Sequence, residues 1–226
     1  MKNISRILIF IILFGVSAFA QTKPKPTSKP VSTKTPPKPS ASLDLGTVDG
    51  AAYTNRYFGF TFSLPETWQI QEQIVNKIIK DTGTRETKAK NAVTQKAFEQ
   101  AATRVTVLLS AFKNTLGAAE NASIVCSLED MRPIPAVKDG VDYLDLNINT
   151  FKRIQLPPDF KYSEVKAEKL GKTQFAYLEI TKTNANQRIY ATFRKGYAIF
   201  FVLTFNNEED LETMRRILAQ GNFARQ

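Results

Sequence analysis

The chain has 226 residues, with 31 Lys+Arg against 21 Asp+Glu, one Cys, one Trp, no His and 42% hydrophobic residues. That is apolar material for one core of ordinary size, about 100–200 residues. Without imidazole there is no His general base, no Ser-His or Cys-His nucleophile pair and no His-ligated zinc, and a single Cys permits neither an internal disulfide nor a thiolate metal cluster.

The formal charge of +10 is unevenly spread. Seven of the 31 cations and none of the 21 acids precede residue 43, so residues 43–226 hold 24 Lys+Arg against 21 Asp+Glu. The basic excess therefore belongs to two extensions. In residues 1–20, Lys2 and Arg6 form a positive segment ahead of an apolar run over 7–16, and Ala18-Phe19-Ala20 places small residues at both recognition positions of a secretory signal. Cleavage is expected before Gln21, with Ala18 and Ala20 read by the peptidase. The alternative is an uncleaved anchor, but residues 7–20 fall short of the roughly 20 that span a bilayer. No Cys stands near the cleavage position to carry a lipid. Residues 21–42 interleave six prolines with five lysines and almost nothing apolar. Such a stretch cannot offset its chain entropy by burial and reads as an extended, disordered linker. Its uncompensated lysines suit an anionic envelope polymer.

From Tyr53 onward the pattern becomes that of one globular domain, residues 43–226. Phe58, Phe60, Phe62 and Leu64 alternate up to Pro65, predicting a strand. Helical spacing of Ile70, Ile74, Val75, Ile78 and Ile79 predicts a helix over 70–79, and an Ala/Lys/Glu/Gln-rich stretch predicts another over 86–102. Alternation resumes over 105–111 and 124–128, with a loop over 116–121 between them. Cys126 lies on the apolar side and reads as a buried hydrophobe. Val141, Leu144, Ile148 and Phe151 predict a helix opened by Asp139 and Asp142.

The last third reads as antiparallel strands over 162–169, 174–183, 187–195 and 197–205, joined by short turns at 170–172, 184–186 and 195–196. The nearly continuous apolar run 197–205 marks a strand covered on both faces. Asn206 to Asp210 open a final helix, with Arg215 and Arg216 toward its negative end. The expected fold is α+β: an α/β/α sandwich around a mostly antiparallel sheet.

The segment Tyr53-Thr54-Asn55 followed by Phe58-Gly59-Phe60-Thr61-Phe62-Ser63-Leu64-Pro65-Glu66-Thr67-Trp68 resembles the opening of PsbP-like domains. The segment Gly196-Tyr197-Ala198-Ile199-Phe200-Phe201-Val202-Leu203-Thr204, with a following helix and Phe223, is similar to their closing strand and helix. The resemblance implies the α/β/α sandwich that this group shares with Ran-binding Mog-type proteins, and it points to the bacterial exported members, to which no particular role attaches. Photosystem PsbP proteins assist a manganese-calcium centre, some with His and acidic ligands. This chain has no His, so no metal site is carried over.

Motif by motif, the chemistry is sparse. Leu170-Gly171-Lys172-Thr173 lacks the earlier glycine of a phosphate loop and reads as a hairpin turn. Ser163 and Lys166 match an S-x-x-K pattern, but three residues apart in a strand they face opposite ways. Asp139, Asp142 and Asp145 read as capping rather than a cation site, and Trp68 as a core residue. On the strand over 187–195, Arg188, Tyr190, Thr192 and Arg194 share one side, so Arg188, Tyr190 and Arg194 are the candidate partner face. No catalytic, cofactor-binding or metal-ligating residue is assigned.

The expected role is an exported, non-enzymatic binding or assembly-assisting module, periplasmic or extracellular. Its partner would be an envelope protein or an anionic envelope polymer and not nucleic acid, and the mature chain would have no transmembrane span. Two alternatives stay open. A hydrolase working with carboxylates alone needs two acids meeting across a cleft at about 5 to 10 Å. A carrier of a small apolar ligand needs a closed apolar cavity.

Overall fold

The computed structural model describes residues 43–71, 77, 91–115, 118, 120–183 and 185–223. The signal, the linker, most of the helix expected over 70–79 and the start of the one expected over 86–102 lie outside those residues.

In chain order the elements are β1 (Thr47–Asp49), β2 (Ala52–Asn55), β3 (Phe60–Ser63), β4 (Gln69–Ile70), α1 (Ala92–Ala102), β5 (Val105–Phe112), β6 (Ser123–Asp130), α2 (Gly140–Phe151), β7 (Lys161–Tyr162), β8 (Lys166–Leu170), β9 (Thr173–Lys182), β10 (Ala185–Arg194), β11 (Tyr197–Phe205), α3 (Glu208–Gln220) and β12 (Asn222–Phe223). The large sheet runs β4-β5-β6-β11-β10-β9-β7, with β8 also on β9, and every pairing in it is antiparallel.

Strand β11 lies inside the sheet and all nine of its residues are buried. Its alternate side chains feed two cores. Ala198, Phe200 and Val202 join Val125, Ile189 and Ala191 beneath Tyr143, Leu144 and Phe151 of α2 and Ala101 and Ala102 of α1. Ile199, Phe201 and Leu203 join Cys126, Phe175 and Tyr190 beneath Leu211, Met214, Ile217 and Leu218 of α3. Helices thus cover both faces, as the apolar run requires.

The second face carries an additional layer. Strands β1, β2, β3 and β12 form a small antiparallel sheet whose Tyr53, Phe60, Phe62 and Phe223 pack into the α3 core. Phe223 stacks on Phe60 with centroids 5.5 Å apart and meets Phe201 edge-on. The strand predicted from Phe58 to Leu64 is therefore the short β3 of this separate sheet, and Phe58 belongs to the turn before it.

Other expectations are corrected by local geometry. Ile70 pairs with Ala111 as strand, not helix. In β5 a register shift between Val107 and Leu109 breaks the simple alternation. Val105 and Val107 face α2, whereas Leu108, Leu109 and Ala111 all reach the α3 core, as a bulge that inserts one residue requires. The strand expected over 162–169 is cut between Tyr162 and Lys166, where the Ser163 hydroxyl accepts the Glu179 N–H at 3.0 Å in place of a backbone partner. Helix α3 runs on to Gln220, so Arg215 and Arg216 precede its last turn, which has no basic residue, and Arg215 pairs with Glu168.

The α2 cap is as expected. Asp139 accepts the N–H groups of Val141 and Asp142 at 2.8 and 2.9 Å, satisfying donors that a helix start leaves unpaired. Gly140 begins the helix so close to β10 that a Cβ there would sit 2.5 Å from the Ala191 carbonyl oxygen. Among the described residues no helix is long and apolar enough to cross a membrane.

Candidate functional site

Strands β5, β6, β11 and β10 end together at one margin of the large sheet. Asp130 pairs with Tyr197, Tyr197 with Arg194, and the Asp130 N–H donates to the Arg104 carbonyl at 3.2 Å. Arg104, Asp130, Tyr197 and Arg194 thus form one row. The β10–β11 turn at Lys195-Gly196 has φ of 51° and 79° at its two central residues, the left-handed geometry that matches a hairpin's twist. A Cβ on Gly196 would come within 2.6 Å of the Arg132 side chain, so the glycine lets Arg132 lie across the turn.

A second turn, residues 56–59 between β2 and β3, docks on this hairpin. The Lys195 ammonium donates to the Tyr57 carbonyl at 2.6 Å and sits 4.3 Å above the Tyr57 ring. Arg194 donates to the Phe58 carbonyl at 3.2 Å. Tyr57, Phe58 and Tyr197 form an edge-to-face series with centroids 4.7 and 5.2 Å apart, and Arg132 lies over the far side of Tyr197 at 4.9 Å. Asp44 accepts the Tyr57 N–H at 3.0 Å, Asn55 accepts that of Phe58 at 2.9 Å and donates to the Asp44 carbonyl at 2.9 Å. The turn that presents Tyr57, 45% exposed, is therefore fixed from below.

The rim is cationic. Arg56, Arg132, Arg194 and Lys195 stand against Asp44 and Asp130. Asp44 spends its carboxylate on the N–H groups of Gly46 and Tyr57. Asp130 takes Arg132 through two bonds of 2.8 and 2.6 Å, and the Arg132 hydrogen bond holds this carboxyl below the usual range. Among the described residues Lys195 rests instead on a ring face and a carbonyl oxygen. Such partners position a cation, with about 0.5–1 kcal/mol for an exposed cation–π contact, without cancelling its charge.

One residue inward on β6, Glu129 is 0% exposed on the α2 face. One oxygen accepts from Arg104 at 3.2 Å and the other from the Tyr143 hydroxyl at 3.1 Å. Burial pushes its carboxyl up to about 7, against the opposing pull of the Arg104 charge and the Tyr143 bond. Burial, with Glu129 beside it, also pushes the Tyr143 phenol well up.

The three residues of the sequence-derived partner face are split by the structure. Arg194 lies at the rim. Tyr190 is 0% exposed, donates to Glu168 at 2.5 Å and accepts from Arg188 at 3.3 Å. Arg188 also pairs with Glu179 at 2.5 Å, Lys166 reaches the same carboxylate at 3.3 Å, and Arg215 joins Glu168 to Glu212. Burial alone would raise Glu179, yet its Arg188 and Lys166 contacts prevail and hold it below the usual range. Three cations meet three carboxylates here, so the cluster closes on itself and clamps α3 to the sheet edge.

The remaining candidates resolve simply. Ala18, Ala20 and Gln21 lie outside the described residues. Ser163 donates to the Glu164 carbonyl at 2.7 Å while Lys166 turns to Glu179. Gly171 occupies a positive-φ hairpin turn. Asp139 and Asp142 accept backbone N–H groups around the start of α2. No group of three or more potential metal ligands occurs among the described residues. Cys126 is sealed in the core, where burial pushes its thiol well up. A groove of about 400 Å³ is lined by Gly50, Ala51, Glu66, Trp68 and Ile70, and Glu66 is the carboxylate among these described residues.

No family model and no curated protein matches the chain. Among solved structures it is similar to the solution structure of cyanobacterial PsbP from Synechocystis sp. PCC 6803. The identity is 12% and the TM-score 0.43, over 80% of this chain and 99% of that one. The likeness is one of fold.

Proposed function

We propose that the chain is an exported, PsbP-like binding module, carried on its Lys/Pro linker, that holds an anionic envelope partner against the rim around Tyr57. One observation carries the reading: Lys195 is fixed in place by the carbonyl and ring of Tyr57 rather than, among the described residues, by a carboxylate, and Arg194 beside it reaches the Phe58 carbonyl and the Phe223 ring. A cation oriented in advance loses little side-chain entropy when an anion arrives, and its field is not already spent. The exposed Tyr57 ring adds an amphipathic contact surface at the centre of the charge. Export through residues 1–20 and removal of that segment before Gln21 place the module outside the cytoplasm, and the five lysines of residues 21–42 add attraction of the same sign.

The test is binding of the full mature chain to rhodamine-labelled dextran sulfate, followed by anisotropy at low and moderate salt. The double variant Arg194→Gln, Lys195→Gly is expected to lose at least fivefold in affinity, and Lys169→Gln on exposed β8 to match the unaltered chain. Equal binding by the double variant refutes the rim reading.

A further inference from the structure

The groove of about 400 Å³ lies at the turn end of the β1–β2 hairpin, away from the rim. It is lined by Gly50 and Ala51 of that turn, by Glu66 and Trp68 of the β3–β4 connection and by Ile70 of β4. We infer that the chain's own linker docks here, with Pro36 and Pro37 against Trp68 and the flanking Lys34 and Lys38 beside Glu66 and Asp49.

The reach of the linker fits. It joins the fold at Leu43, which packs on the α3 core, and at Asp44, which is bound to Asn55 and Tyr57 at the open end of the β1–β2 hairpin. From Asp44 to Gly50 an extended chain rises about 3.3 Å per residue, so the groove lies within about 20 Å of that entry. Turned back at residue 43, a polyproline segment covers about 3.1 Å per residue and meets the groove at Pro36 and Pro37. The path follows β1, the margin strand of the small sheet, whose three residues are all exposed. Prolines lack the N–H that would let the linker add to this margin as a strand, so the segment lies along it and ends in the groove.

The chemistry fits as well. Trp68, the sole Trp of the chain, is 8% exposed and lines the groove. Proline docks on aromatic surfaces at low entropic cost, because its ring already holds the polyproline conformation. Above Gly50 there is room, since a Cβ added there would meet no atom within 4 Å. Asp49 and Glu66 are exposed, and neither joins an ion pair among the described residues. The linker brings the opposite charge, five lysines and no acid over residues 21–42. A weak contact suffices, because a short tether holds the segment at an effective concentration on the order of millimolar. Docked, residues 33–42 no longer lengthen the arm, and Lys34 and Lys38 are withdrawn from other anions.

The indole N–H of Trp68 gives a single NMR signal in the full mature chain and reports on the groove directly. Pro36→Ala combined with Pro37→Ala is expected to shift that signal, whereas Pro24→Ala combined with Pro26→Ala leaves it in place. These substitutions lie in the linker, outside the domain, so folding is not at stake. A synthetic peptide of residues 33–42, added to the Pro36→Ala, Pro37→Ala chain, is expected to return the signal to its position in the unaltered chain. An indole signal identical in the unaltered chain and in that double variant overturns the inference. A difference that vanishes on dilution overturns it too, because the groove would then hold the linker of a second copy.

Discussion

The Lys195 ammonium lies 4.3 Å above the ring of Tyr57 and 2.6 Å from the carbonyl oxygen of the same residue. Lys195 is also the one described non-glycine residue with positive φ, a conformation that costs an L side chain about 1 kcal/mol. Replacement by glycine relieves that cost while removing the contacts to Tyr57. Lys195→Gly is therefore expected to keep urea stability within about 0.5 kcal/mol of the unaltered chain while weakening dextran sulfate binding several-fold. A large stability loss with unchanged affinity would make Lys195 a structural residue only.

Tyr190, itself buried, joins Glu168 to Arg188 within a part-buried, charge-balanced cluster. Tyr190→Phe keeps the ring and deletes the bridge, leaving Glu168 with one acceptor site unfilled. The expected loss is about 1 kcal/mol of unfolding free energy, that of a hydrogen bond to a part-buried charged group, read from the urea midpoint. A change below about 0.5 kcal/mol would mean that solvent already satisfies the cluster.

The folded Glu129 carboxyl sits at about 7, above the ordinary value of 4.5 that it regains on unfolding. Its folded state therefore binds the proton more tightly. The associated stability is fully present below about pH 4.5 and is lost as pH rises through 7, by at most about 3 kcal/mol. Lys182, lowered to about 8 by burial, is charged in both states between pH 5 and 7 and contributes no slope there. Urea midpoints over that window are expected to fall with rising pH, and Glu129→Gln is expected to flatten the profile. A slope that survives the substitution assigns it to another group.

Helix propensity alone favours Gly140→Ala by up to about 1 kcal/mol. The structure reverses the sign, since the new methyl group would lie 2.5 Å from the Ala191 carbonyl oxygen. Overpacking against backbone costs about 1–3 kcal/mol, so a lower melting temperature is expected. A raised one would show that α2 slides freely over β10.

What the sequence reveals here depends on how local the cause is. Strand β11 is legible because nine apolar residues in a row have only one stable setting, covered from both sides. The α2 cap is legible because Asp139 acts on residues two and three positions away. The bulge after Val107 is not, since Leu108 and Leu109 satisfy either face equally well. Strand β12 is only two residues long, and its place beside β3 is fixed by Phe223 finding Phe60. The candidate site divides in the same way. Arg188, Tyr190 and Arg194 share one side of β10, as strand periodicity requires, but α3, which carries Arg215 against Glu168 beside Tyr190, is remote in the chain. Tyr57, Arg132 and Lys195 meet only once the small sheet is folded onto the large one, and nothing local announces that meeting.

The cut in the outer strand at Ser163 also bears on self-association. An uninterrupted margin of unpaired N–H and C=O groups invites a second molecule to zip on. Here the ribbon along β9 is severed after two residues, and beyond the gap its outer rung carries Lys166 and Lys169. Neighbouring copies crowded on one surface would find no template there for fibre growth.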